Sequence, residues 1–337
     1  MKKIKISYVI ILLLASFLVW IVIAYNKRKN IIQEFNRDLF YMDTYINVKI
    51  YTTDSVKANK TLTLVDNIYK EYHQLTDRYN AYTNVNNVYF INNNSIKDEK
   101  IKIDSKLYEL IKQGIIANSK TDGLININMG DVIDVWKKYR DAKTGVPTLI
   151  ELKNTNIDID QIKLLDNNNI LNNHPNIDLG AIAKGYVTQI VANYIKEQGF
   201  DKFLINAGGN VIVGNHYNKE VFRIGIEEPN SNGGIYQIIK GNNMVVTTSG
   251  SYERFYEYNG ITYHHIIDPK SLFPTNYMKS VTVITKDGLL GDTLSTALFL
   301  MPIMEGKKFL KNFAGVEAIW YTLDNQVIKT DGFNKYE

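Results

Sequence analysis

The residues from Asn176 to Gly214, NIDLGAIAKGYVTQIVANYIKEQGFDKFLINAGGNVIVG, leave few choices of fold. Ile182, Tyr186, Ile190 and Tyr194 recur at every fourth position, with Val187, Val191 and Ile195 beside them. That spacing predicts a helix with a wide apolar stripe. Gly199 stands where a helix C-terminus takes a left-handed residue. Phe203-Leu204-Ile205 then predicts a short buried strand, and Gly208-Gly209 a tight turn. A Gly-Ala turn and a Gly-Gly turn thus flank one helix–strand unit. Backbone N–H groups at a helix start and in a Gly-Gly loop can converge on one anionic group. Glycine turns also serve purely steric needs.

Downstream lie Thr248-Ser249-Gly250-Ser251-Tyr252-Glu253-Arg254, His265-Ile266-Ile267-Asp268-Pro269 and Asp292-Thr293-Leu294-Ser295-Thr296-Ala297. Taken in order with Asp178-Leu179-Gly180-Ala181-Ile182-Ala183-Lys184-Gly185-Tyr186 and Asn206-Ala207-Gly208-Gly209-Asn210, they resemble the ApbE family of FAD:protein FMN transferases. The resemblance runs from about Met42 to the C-terminal region. It implies an ApbE-like mixed α+β fold of two lobes, with the active site in the cleft between them.

The chain has 337 residues, 45% of them hydrophobic and 22% charged, enough for one large domain or two smaller lobes. A net charge of +4 gives no reason to expect a nucleic-acid partner. The absence of cysteine excludes disulfides, thiolate metal sites, a thiol nucleophile and an acylated lipoprotein anchor. Many envelope members of the family carry that anchor cysteine, so this chain departs from them.

A membrane connection is expected by another route. Residues 6–26 contain no charged side chain and are long enough to span a bilayer at about 20 residues per crossing. Lys2, Lys3 and Lys5 precede them, as in a signal sequence. No small-x-small cleavage site precedes Asn26, which favours an uncleaved anchor over a cleaved signal peptide. Lys27, Arg28 and Lys29 on the far side leave the orientation open on charge alone; the family resemblance favours a catalytic part outside the membrane. Residues 1–30 are therefore expected to be an N-terminal anchor, and residues 31–337 the catalytic domain.

Residues 30–39 read as a polar connector and 41–51 as one alternating strand. Leu62, Val65, Ile68, Tyr69, Tyr72 and Leu75 predict an amphipathic helix. Ser105 is expected to cap a helix bearing Leu107, Leu110, Ile111 and Ile115. A helical piece is expected to end near Trp136. Residues 154–173 predict a surface hairpin, and Asn259-Gly260 a two-residue hairpin turn. Helices are expected at 294–301 and 305–313. Strand runs and helices alternate without strict βαβ order, which predicts an α+β chain.

Asp292 and Thr296, four apart at an expected helix start, share one helix face. Asp292 reads either as a helix cap or, with Thr296, as a pair of hard oxygen ligands suited to Mg²⁺. The family resemblance implies the second, with the backbone carbonyl of Ala181 as a third ligand. It also implies that Asp178 contacts FAD, that Met42 in Met42-Asp43-Thr44 touches the flavin, and that Leu124, Ile125 and Asn126 form a flavin-side loop. The family carries an aspartate where Asn126 stands and Gly-Pro where Gly130-Asp131 stands, so that loop departs from its pattern. Tyr79, one of several tyrosines in its segment, is the candidate to cover the flavin. Lys184, a cation in the first turn of a helix, opposes the helix dipole and is expected to face an anion such as a diphosphate. His264 and His265 are read as strand neighbours on opposite faces. The motif selects His265 as general base, followed by Ile266 at the flavin site. The implied reaction transfers FMN from FAD to a threonine of a partner protein, in an extracytosolic or membrane redox system, with release of AMP. Hydrolysis of FAD, or flavin binding without catalysis, are the competing readings.

Overall fold

The computed structural model describes residues 8, 11–20, 31–94, 99–173, 176–229 and 233–337. Residues 11–20 are helical, with apolar side chains from Leu12 to Trp20 exposed. Residues 6, 7, 9, 10 and 21–26 of the span expected to cross a membrane lie outside the described residues. Among the described residues no helix is long and apolar enough to do so.

An eight-stranded sheet organises the chain: β1 (Gln33–Tyr41), β2 (Thr44–Thr52), β3 (Phe203–Ala207), β4 (Asn210–Val213), β5 (Met244–Gly250), β6 (Ser280–Thr285), β7 (Glu317–Tyr321) and β8 (Val327–Lys329). The strands lie side by side in sequence order, and every neighbouring pair is antiparallel. Ile46 pairs with Ala207, Asn210 with Thr247, and Gly250 with Ser280. That register brings the β1–β2 tip, the β3–β4 turn and the end of β5 to one end of the sheet.

Six helices are used below: α1 (Ser55–Thr76), α2 (Ser105–Lys120), α3 (Gly130–Ala142), α4 (Ala183–Glu197), α5 (Gly288–Phe299) and α6 (Ile303–Leu310). The alternation of β5 sorts its side chains between the two faces of the sheet. Val245 joins a core with Ile46, Val48, Val187 and Val191, so α1 and α4 cover that face. Met244 and Val246 join Phe222, Ile226 and Ile239, from a hairpin of Phe222–Glu227 and Ile235–Gly241 that covers the other. Further along the helical face, Leu294, Ala297 and Leu298 of α5 pack with Val281, Val283 and Trp320 of the sheet and with Leu110 and Ile111 of α2. A three-stranded sheet of residues 100–102, 162–165 and 169–172 adjoins this core through Ile101, Ile162 and Ile170.

Several boundaries differ from those expected. Residues 30–39 are not a connector, because Gln33–Tyr41 is the edge strand β1, and Met42-Asp43 is the two-residue turn joining it to β2. Both turn residues have left-handed backbones, φ 51° and 54°. This is the hairpin geometry that Asn-Gly usually provides; Asp is tolerated there, but Met42 does not advertise it. Asp104, not Ser105, caps α2, its carboxylate accepting the Lys106 N–H. Trp136 lies within α3 rather than at its end. The helix expected at 294–301 starts at Gly288, where Asp287 caps it by accepting the Leu290 N–H. Asp292 and Thr296 therefore sit inside α5, and the capping role of Asp292 is excluded. The last helix spans Ile303–Leu310. The strand Ile261–His264 ends at His264, so His265 lies beyond it. The surface hairpin, the Asn259-Gly260 turn and left-handed Gly199 are found as expected.

Two glycines set how closely α4 and α5 approach. A Cβ on Gly185 would lie 2.2 Å from the Gly288 carbonyl oxygen and 2.5 Å from Asp292 Cβ, and one on Gly288 would lie 2.6 Å from the Gly185 carbonyl oxygen. Gly185→Ala should therefore force the helices apart and cost about 3 kcal/mol of stability, at the upper end of overpacking penalties. Urea unfolding of the variant beside the parent checks this.

Candidate active site

A cavity of about 900 Å³ opens at the end of the sheet where the three turns meet. That is near the top of the roughly 300–1,000 Å³ range of small-molecule clefts. One side is built by the β1–β2 tip, the Gly208-Gly209 turn and the end of β5; the other comes from residues 76–80, 124–129 and 178–184. All twelve residues singled out from the sequence line it: Met42, Tyr79, Leu124, Ile125, Asn126, Asp178, Ala181, Lys184, His265, Ile266, Asp292 and Thr296.

Asp292 is buried in the wall, not half exposed. Because Gly185 and Gly288 let the helices touch, its Oδ2 accepts the Gly185 N–H at 2.8 Å. This N–H belongs to the first turn of α4, where backbone donors lack helical partners and the helix dipole favours an anion. The Asn210 amide nitrogen lies 3.4 Å from Asp292 Oδ1, and Thr247 Oγ1 donates to Asn210 Oδ1 at 3.0 Å, fixing which way that amide points. Burial raises the Asp292 carboxyl pKa, against the opposing pull of Lys184, the Gly185 N–H and Asn210. Thr296 Oγ1 is 3.4 Å from Ser249 Oγ, which donates to Ser295. The Asp292 carboxyl, the Thr296 hydroxyl and the Ala181 carbonyl are hard oxygen donors of the kind Mg²⁺ takes, and all three residues line this cavity. Among the described residues no three His, Cys, Asp or Glu side chains gather to hold a metal, so the fit rests on this mixed set.

Lys184 projects from the first turn of α4 into the cavity and makes no close ion pair among the described residues. Its charge acts on Asp292, Glu253 and His265. Glu253 is the second acid here, raised by burial.

The two histidines differ in every contact. His264 is buried, with Nε2 at 2.6 Å from the Thr275 carbonyl and Nδ1 accepting the Ile266 N–H at 3.2 Å. Its ring meets Phe299 edge-on. Both ring nitrogens are engaged, which defines a structural residue. His265 opens into the cavity, with Nδ1 at 3.3 Å from the Arg254 carbonyl. A carbonyl only accepts, so Nδ1 carries the proton and Nε2 of the neutral ring keeps a lone pair. The ring keeps surface open to cavity water but lies deep between the walls. That burial first, then the charges of Lys184 and Arg254, lower its pKa.

Apolar and aromatic side chains, among them Met42, Tyr79, Leu124, Ile125 and Ile266, line the same cavity. The Tyr79 ring is half exposed and lies over the Arg78 guanidinium at 5.2 Å. Asn126 is used by its own loop, donating to the Ile157 carbonyl and accepting the Asn128 N–H, both at 2.8 Å. Asp178 accepts the Gly180 N–H at 2.8 Å and faces Arg78 at 3.4 Å.

Arg78 was not singled out from sequence. Its guanidinium also reaches Asp134 and Asn176, both at 2.8 Å, and so ties the turn bearing Tyr79 to the strip bearing Asp178. The available signal was its being the lone cation between Thr76 and Ile91. His73 was missed as well. It accepts the Met42 N–H at 3.3 Å and so holds the left-handed tip.

The chain belongs to the ApbE family, whose sequence model matches residues 42–320. It is 29% identical over 294 residues to the FAD:protein FMN transferase of Klebsiella pneumoniae (strain 342), covering 85% of this chain and 89% of that one. It is 28% identical over 303 residues to the FAD:protein FMN transferase of Vibrio cholerae O395, covering 88% of each. The fold matches the crystal structure of the ApbE protein of Thermotoga maritima with a TM-score of 0.80 at 25% identity, over 90% of this chain and 99% of that one.

Because the Asp292 pKa is raised in the folded state, its contribution to stability is lost as pH rises and the buried carboxyl ionises. Asp292→Asn should then melt about 1–2 °C above the parent at pH 7.5 in metal-free buffer, the shift that roughly 1 kcal/mol gives a domain of about 300 residues. Added Mg²⁺ should raise the melting temperature of the parent and leave the variant unmoved. Differential scanning calorimetry with and without Mg²⁺ tests both.

Proposed function

We propose that the chain is a Mg²⁺-dependent FAD:protein FMN transferase. The observation that carries this reading is that one cavity is lined both by apolar and aromatic groups suited to a flavin and by charged groups suited to a diphosphate. Membership of a family whose named relatives are FAD:protein FMN transferases supports it.

FAD binds with its isoalloxazine between Tyr79, Met42 and the 124–126 loop, and with Ile266 and Asp178 nearby. Lys184 and the N–H groups of the Gly208-Gly209 turn face the diphosphate. Bound by Asp292, Thr296 and the Ala181 carbonyl, Mg²⁺ supplies charge neutralisation on the diphosphate. The acceptor is a threonine hydroxyl of a partner protein. His265 Nε2 takes the hydroxyl proton while threonine Oγ bonds to the FMN-side phosphorus. The bond from that phosphorus to the bridging oxygen breaks, and the oxygen leaves with AMP. FMN remains on the partner through a phosphoester. Positioning and charge neutralisation dominate the rate of such transfers. We infer further that residues 6–26 anchor the enzyme in a membrane with its catalytic domain on the extracytoplasmic side.

Incubation with FAD, Mg²⁺ and a threonine-bearing target domain should add the mass of FMN to the target and release AMP. AMP and free FMN without target modification would identify a hydrolase instead. His265→Ala should slow single-turnover transfer about 10²–10⁴-fold, the usual loss of acid–base help. A base must be neutral to act. The lowered pKa of His265 therefore places the acid limb of the rate profile below the ordinary histidine value of about 6.5, with a flat rate from pH 7 to 9. A rate still climbing between pH 7 and 8 would contradict that.

Protease added to intact cells should degrade the catalytic domain if it lies outside the membrane. Protection until lysis would put it inside.

A further inference from the structure

We propose that Arg254 is a positioning residue that couples the β1–β2 tip to the general base His265, an inference that rests on the transferase reading above. Both ends of Arg254 are engaged. Its guanidinium donates to the Asp43 backbone carbonyl at 3.1 Å and to the Asp43 carboxylate at 2.8 Å. Its own carbonyl accepts the His265 backbone N–H at 3.0 Å and the His265 ring at 3.3 Å. One residue therefore grips the tip carrying Met42 and fixes the proton on Nδ1 of the base.

The Arg254 side chain is 46% exposed and that of Asp43 75% exposed. Exposed ion pairs in water add little stability, so the pair is a poor brace for the fold as a whole. Its geometry is more specific than a chance encounter. One guanidinium nitrogen, Nη2, meets two oxygens of one residue, on a turn whose two residues are both left-handed. The β1–β2 hairpin also closes the edge of the main sheet, with no further strand beyond β1 among the described residues. Its tip needs a contact of this kind to hold position over the cavity.

The charged groups around His265 come from three directions. Lys184 faces it from α4, Arg254 from the segment after β5, and His264 from the adjoining strand. Glu253 and Asp292 line the same cavity, and Lys184 acts on both. Removing the guanidinium takes away one cation beside the imidazole and one restraint on the carbonyl that orients it. The two effects are separable. Loss of the charge raises the His265 titration midpoint, whereas loss of the clamp alone lowers the transfer rate and loosens the tautomer.

The experiment uses the full chain, with FAD and Mg²⁺ for transfer and ¹⁵N-histidine labelling for the ring. Arg254→Met should lower the single-turnover rate about 10–100-fold, the cost of an ångström-scale misplacement. FAD affinity should change by less than about threefold, the pattern of a lost transition-state contact. The His265 midpoint should rise, and the Nδ1–H form should cease to dominate. Asp43→Asn keeps the Arg254 charge and should slow transfer without raising the midpoint. Arg254→Lys should keep the midpoint low and recover only part of the rate, since an ammonium lacks the fixed donor directions of the planar guanidinium. An Arg254→Met protein with parental rate and unchanged His265 signals overturns the inference. A parent that transfers no FMN, but whose His265 signals respond to Arg254→Met as described, overturns the transferase reading and leaves the coupling standing.

Discussion

The site depends on one close approach. Where α4 and α5 cross, Gly185 and Gly288 leave no side chain between the helices, and the Asp292 carboxylate reaches the Gly185 N–H. A carboxylate in that position is buried, which opposes its charge, yet it meets an unpaired helix donor and the positive end of a helix dipole. The same crossing fixes the first turn of α4, so the positions of Ala181 and Lys184 follow from it. Asn210 and Thr247, from adjacent strands, back the carboxylate from behind.

The antiparallel order of the main sheet brings the remaining parts together. Because β1 to β8 lie in sequence order, the turns between alternate pairs emerge at the same end. The Met42 tip, the glycine pair and the Thr248–Arg254 segment become neighbours although hundreds of residues separate the first from the last. The long insertion between β2 and β3 supplies the facing wall with Tyr79, Leu124 and Asp178. The cavity thus combines aromatic and aliphatic groups such as Tyr79, Met42 and Leu124 with the charged or polar Lys184, Asp292 and His265.

Much of this was legible in the sequence, for identifiable reasons. The helix from Ala183 to Glu197, the Gly208-Gly209 turn and the Asn259-Gly260 hairpin announce themselves through apolar period and glycine, signals that act within a few residues. The Met42-Asp43 turn did not, because no glycine or asparagine marks it; its trace is the shift of inward positions from Phe35, Leu39 and Tyr41 to Ile46, Val48 and Ile50. The caps Asp104 and Asp287 each have a rival in the sequence: Ser105 stands next to the first, and Asp292 follows the second by five residues. Arg78 was beyond reach in another way. Its partners Asp134, Asn176 and Asp178 are 56 to 100 residues away, and only the folded chain brings them together. His265 faces the cavity because the strand has ended and the backbone turns, not because strand neighbours alternate.

The sheet order also bears on how the protein is made. β2 pairs with β1 at once, but its other edge waits for β3, which emerges only after residues 53–202 have been synthesised. At ordinary elongation speeds of about 5–20 residues per second, that edge stands open for roughly 8–30 s on the ribosome. It carries Ile46, Val48 and Ile50, all buried in the finished protein, on a strand with free hydrogen-bonding groups, the pattern that invites pairing with a foreign chain. α1 is the next helix to leave the ribosome, and its Leu62, Val65 and Tyr69 share one core with those three residues. The nascent hairpin thus has a chaperone of its own in the following helix, which covers its apolar face long before its neighbour strand arrives.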